Sequence, residues 1–128
     1  MVSMIAVYYF AWAIAVALVL VGCYALVNPT ELARRYGVAA HGHDAAGFVR
    51  ATGVRDLALG VVLAAVAYLH ALVLLIVLGV MGVIVSIVDF RIVSHHGTHP
   101  HGTAHAVHAS GVVAFVLIVA MALLAIGR

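Results

Sequence analysis

The sequence contains no lysine, and its charged residues, six arginines and four acids, make up only 8% of 128 positions. Soluble domains carry roughly 25% charge and about 45–50% apolar residues. A chain that is 67% hydrophobic is therefore no ordinary soluble domain, and a membrane protein is the class that composition predicts. The net charge of +2, with no basic stripe on a soluble surface, excludes nucleic acid as a partner. One cysteine, Cys23, excludes an intrachain disulfide; its place inside an apolar helix predicts a packed small residue rather than a reactive thiol. The chain also lacks a P-loop, a Gly-rich dinucleotide motif, a nucleophile elbow and a C-x-x-C-H haem attachment site.

What is present is long apolar runs. A spanning helix needs about 20 mainly apolar residues, and four segments qualify: 3–27, 45–69, 71–93 and 104–126. The run from Leu57 to Val88 is too long for one helix at about 1.5 Å per residue, so a tight turn is expected near His70. The predicted fold is all-α, a single integral-membrane four-helix bundle spanning residues 1–128, with a short interfacial helix between the first two spans. That short helix is signalled by Asn28-Pro29-Thr30-Glu31. Asn28 suits the N-cap, Pro29 the first helical position and Glu31 the acid of a capping box. Gly37 is placed to end it, and Asp44 to cap the next helix. The first apolar segment has no Arg or Lys before it and outruns a signal peptide's hydrophobic region, so it is expected to remain as a helix.

The bundle is lopsided. Every charged residue but Arg128 and every histidine but His70 falls toward one end. Arg34, Arg35 and Arg91 in the connections at that end place it in the cytoplasm by the positive-inside rule, with both termini extracytoplasmic and the inner membrane as location. Tyr8, Tyr9, Trp12 and Tyr68 would form the outer aromatic belt.

Three helix faces converge on the charged end. In the second span, Ala46, Gly53, Gly60, Ala64 and Ala67 form a stripe of small residues that permits close helix approach. Arg50 and Asp56 flank the stripe, whereas Arg55 is expected roughly opposite it, needing another neighbour or snorkelling to the surface. In the third span, Leu72, Leu75, Gly79, Gly82, Ser86, Asp89 and Val93 share one face. In the fourth, His101, His105, His108, Val112 and Phe115 do so. Ionisable groups in a span cost about 2.5–3.5 kcal/mol each on insertion scales and are rarely left unpaired. Arg50, Arg55, Asp56, Asp89, His105 and His108 therefore form one expected constellation, with Ser86 beside it. Asp56 or Asp89 as base and His105 or His108 as acid would suit proton transfer on an amphiphile, such as an isomerisation, cyclisation or epoxide opening. The same pairing could bind an anionic headgroup or serve structure alone.

At Gly53-Val54-Arg55-Asp56, with Gly60, then Asp89 and His105, the chain resembles a group of small four-helix membrane proteins of unknown function related to the DoxX-like assemblage. The resemblance spans most of the chain. It implies the fold, draws attention to Arg55, Asp56, Asp89 and His105, and implies no reaction.

Three readings of function follow. The first is a cytoplasm-facing pocket that binds a small or lipid-like molecule from the bilayer and could act on it. The second is a non-catalytic subunit of a homo-oligomer or larger membrane complex, docking through small faces such as Ala11, Ala15, Leu18, Gly22 and Ala25 on the first span. The third is binding or transport of a transition metal (Zn, Ni or Cu) through His95, His96, His99 and His101, with His41 and His43 across the mouth. The dense histidine loop departs from the resembled group. A haem held axially by His105 or His108 is a further cofactor that the spacing permits.

Overall fold

The structure is a computed structural model. It describes residues 3–36, 43–96 and 102–127, with side chains described for 3–36, 46–95 and 106–127. The described residues form helices α1 (Met4–Val27), α2 (Pro29–Arg35), α3 (His43–Tyr68), α4 (Leu72–His96) and α5 (Gly102–Ile126), with no strand among them. α1, α3, α4 and α5 are each long and apolar enough to cross a membrane. Large apolar side chains such as Leu20, Val27, Val73 and Leu124 point out of the bundle, the surface of a multi-pass membrane protein and not of a soluble one.

The ends of the helices are set locally. Ser3 Oγ accepts a hydrogen bond from the Ala6 N–H at 3.1 Å and caps α1. Asn28 precedes α2 with Pro29 in its first turn, yet the Asn28 side chain makes no cap. Glu31 does not close a capping box: its carboxylate accepts from Arg34 Nη2 at 2.7 Å and Arg35 Nε at 3.0 Å. Two guanidinium donors one turn away outcompete a neutral backbone N–H for the same oxygens. They also hold Glu31 below the ordinary carboxylate range, Arg35 contributing most and Arg34 next. The expected cap at Gly37 lies outside the described residues. α3 begins at His43, one residue before the expected capping position Asp44. The turn between α3 and α4 falls at His70, whose φ of 52° is in the left-handed region. Tyr8 of α1 holds it there: its hydroxyl donates to the His70 carbonyl at 2.8 Å and its ring meets the imidazole edge-on at 4.7 Å.

The bundle is built as two tight pairs, α1 with α3 and α4 with α5, and α2 lies against α3. Between α1 and α3 the backbones nearly touch. A Cβ at Gly22 would sit 2.7 Å from the Gly53 carbonyl oxygen and 2.8 Å from the Leu57 nitrogen, both backbone atoms that cannot swing aside. The small face of α1 (Ala11, Ala15, Gly22, Ala25) is thus buried inside the chain. α3 covers this face, the one the sequence offered for docking. Cys23 turns out on the exposed side of α1 and not in the packed interior, because the interior face runs through its neighbour Gly22.

Gly22→Ala should destabilise the fold by about 1–3 kcal/mol, the usual cost of overpacking. Gly47→Ala, where an added Cβ meets nothing within 4 Å, should be neutral or stabilise by up to about 1 kcal/mol through helix propensity. Thermal unfolding of both variants in a mild detergent checks the pair, the first lowering Tm and the second not.

Candidate functional site

α3 and α4 touch only lightly, and the space between the two pairs is a cavity of about 280 Å³. Its walls are Ile14 and Leu18 from α1, Thr52, Arg55 and Asp56 from α3, Ser86 and Asp89 from α4, and His108, Gly111 and Phe115 from α5, with Tyr36 at the end of α2. Glycines make the room on the far side. Gly82 lies against the Phe115 ring, which a Cβ there would displace.

The polar wall is a bridge centred on Arg55. Its fork holds Asp89 with both arms, Nη1 to Oδ1 at 3.2 Å and Nη2 to Oδ2 at 2.8 Å. The inner edge of the same guanidinium holds Asp56 Oδ1 from Nε at 3.2 Å and from Nη2 at 3.0 Å. Asp56 is buried, and Arg55 and Asp89 are half-buried. Arg55 stands nine residues into the apolar segment Ala46–Tyr68, about 14 Å along its axis. Only an arginine can satisfy two carboxylates at that depth with one planar head.

α2 and α5 complete the lining. Tyr36 packs its ring against His108, the centroids 5.1 Å apart and the planes tilted by 54°. Leu32 and Ala33, buried on the same face of α2 with Val49 and Ala25, fix the helix in position. Burial pushes the Tyr36 hydroxyl up to about 12, the negative charge of Asp56 adds to the rise, and Arg55 opposes it. Tyr36 therefore stays a neutral O–H donor throughout the physiological range.

The expected site residues divide into three groups. Arg55, Asp56, Ser86, Asp89 and His108 are brought together around one cavity. Arg50 is not: it is exposed and lines no part of it. Arg55 has the other neighbour that its place opposite the stripe called for: Asp89 of α4, at 2.8 Å. The His105 side chain lies outside the described residues, as do those of His96, His99 and His101; His95 is described and exposed. Among the described residues no three His, Cys, Asp or Glu side chains are grouped to hold a metal ion. Tyr36, Thr52 and Gly111 join the site without having been expected there, and Phe115 joins it on the α5 face that spacing gave. An aromatic residue one turn after Leu32, continuing the apolar side of the short helix, was the available signal for Tyr36.

One comparison with known proteins gives a match. The model of the family described as "Domain of unknown function (DUF4267)" covers residues 15–123, which hold most of the cavity's residues. The chain belongs to this family. Comparison with curated proteins and with solved structures gives no match.

Two outcomes follow from the geometry. Arg55→Gln leaves two carboxylates facing one cavity with no cation between them, whereas Asp89→Asn keeps the Arg55–Asp56 pair. The first should cost more stability than the second, by about 2 kcal/mol, as read by denaturant titration of the reconstituted protein. Tyr36→Phe should remove a tyrosinate absorbance step centred at about 12. Because folding raises this group's pKa, its contribution to stability is complete below pH ~10, the unfolded phenol's value, and is lost as pH rises toward the folded value.

Proposed function

We propose that this protein is a multi-pass inner-membrane protein whose cavity binds a small or lipid-like molecule drawn from the bilayer. The observation that carries this reading is the cavity's division: apolar on the α1 and Phe115 side, and charged on the Arg55–Asp56–Asp89 side. Ligand pockets pair a mostly apolar lining with a few convergent polar groups, and an ionisable cluster within a span is by default a functional-site hypothesis. The charged end is assigned to the cytoplasm and both termini to the outside, because Arg34, Arg35 and Arg91 lie at that end. Kinship with the DoxX-like assemblage belongs to the same proposal and rests on Gly53-Val54-Arg55-Asp56 with Asp89 and His105.

The site also has the parts for acid–base chemistry on what it binds. Asp56 and Asp89 are candidate bases, Tyr36 and His108 candidate acids, and Ser86 with Thr52 lie beside them on the wall. An isomerisation, cyclisation or epoxide opening needs only such a pair with the substrate held between them. The subunit reading loses the small face of α1, which α3 covers.

Native mass spectrometry of the protein released gently from its own membrane, with an absorption spectrum alongside, tests the proposal. The expected result is a small molecule retained at fixed stoichiometry and lost from Thr52→Phe, which fills the cavity from α3. A bare chain, or equal retention by the variant, would sink the reading.

A further inference from the structure

The bound molecule's charge can be read from the bridge. Four hydrogen bonds to two carboxylates occupy Arg55 Nε and both of its Nη atoms. Its positive charge is already spent on carboxylates, and an incoming phosphate or carboxylate would have to displace one of them. With both acids ionised, the cluster carries one positive and two negative charges, an excess of one negative charge within the span. Such an excess is expensive in a low-dielectric site and must be balanced by a proton or another cation. Among the described residues the groups that face the cluster supply no fixed positive charge: Tyr36 from α2 is a neutral phenol, His108 from α5 is titratable, and the cavity residues of α1 are apolar. Tyr36 adds an aromatic ring to the lining, the kind of group against which organic cations rest.

We infer that the cavity takes an amphiphile with a cationic head, an amine or quaternary ammonium, and releases a proton as it does so. This inference rests on the binding role proposed above and names the ligand class for that same site. The exchange balances: one positive head enters beside Asp56 and Asp89, and one proton leaves to solvent from the carboxylate pair or from His108, whichever holds it. The apolar tail lies along Ile14 and Leu18.

Three probes of equal chain length separate the possibilities: hexyltrimethylammonium, hexanol and hexanesulfonate, titrated by calorimetry into the full chain in dodecyl maltoside. The ammonium should bind saturably at one per chain. Its affinity should rise with pH by up to about tenfold per unit where one proton is exchanged, and proton release should show as a dependence of the heat on the buffer. Asp89→Asn, which makes the cluster neutral, should flatten that pH dependence and lose about tenfold or more of the preference for ammonium over hexanol. Asp56→Asn serves the same purpose if Asp89→Asn does not fold. If hexanol or hexanesulfonate binds as well as the ammonium, or if ammonium binding ignores pH, the charge inference is overturned while the pocket stands. If no probe of any charge saturates, the binding proposal falls with it.

Discussion

Arg55 is the polar tie between the two halves of this bundle, which also share one buried apolar core through Val7, Ala11, Leu63, Leu75 and Ile118. α1 and α3 form one close-packed pair and α4 and α5 another, and within each pair the contact is backbone against backbone or glycine against side chain. Lipid tails are as apolar as leucine, so no hydrophobic force pushes helices together in a bilayer. Cohesion comes from contact area and from polar groups that have nowhere better to go. The first holds each pair. Across the lightly packed seam between α3 and α4, a charge bridge on Asp89 supplies the second.

The seam is light because of the bridge. Tight helix pairs need small residues along the contact line, and α3 spends its glycine stripe on α1. The face it turns to α4 carries Thr52, Asp56 and Leu59 instead, side chains that keep backbones apart and leave the cavity between them. Stability and site geometry therefore have one origin. The ion cluster that holds the halves together also holds them apart, and Leu32 and Ala33 pin α2 so that Tyr36 stands in the cavity wall.

Much of this was legible in the sequence, and the failures are instructive. Run length and the one-sided placement of charge gave the spans, and spacings of three and four gave the α4 face from Leu75 through Ser86 to Asp89. Arg50 was misplaced because the α3 stripe was read as the bundle's interior. At about 100° per residue, Asp56, Thr52 and Leu59 fall about 60–120° to one side of Gly53, toward α4. Arg50 falls about 60° to the other side and stays exposed. Arg55 lies farther round still, but its long side chain reaches back across the helix, which a wheel of Cα positions does not register. Tyr36 was hidden for a different reason: a seven-residue helix gives too few turns to reveal which face is buried. The packing of Cys23 failed similarly, since α1 is apolar all round and its pattern does not choose a side.

The second carboxylate is the feature that a purely structural account leaves over. Asp89 alone would complete a two-armed bond with Arg55 and join α3 to α4. Asp56 adds no helix-to-helix link, since it precedes α4 on the same helix as Arg55 and is its immediate neighbour in sequence. It adds a buried negative charge, and buried charges that exceed their partners cost stability. Replacing it with an apolar residue of similar size would leave the bridge intact and the seam no weaker. A bundle selected only for cohesion would do better without Asp56; a site that must attract a positive charge, or hold and give up a proton beside its ligand, would not.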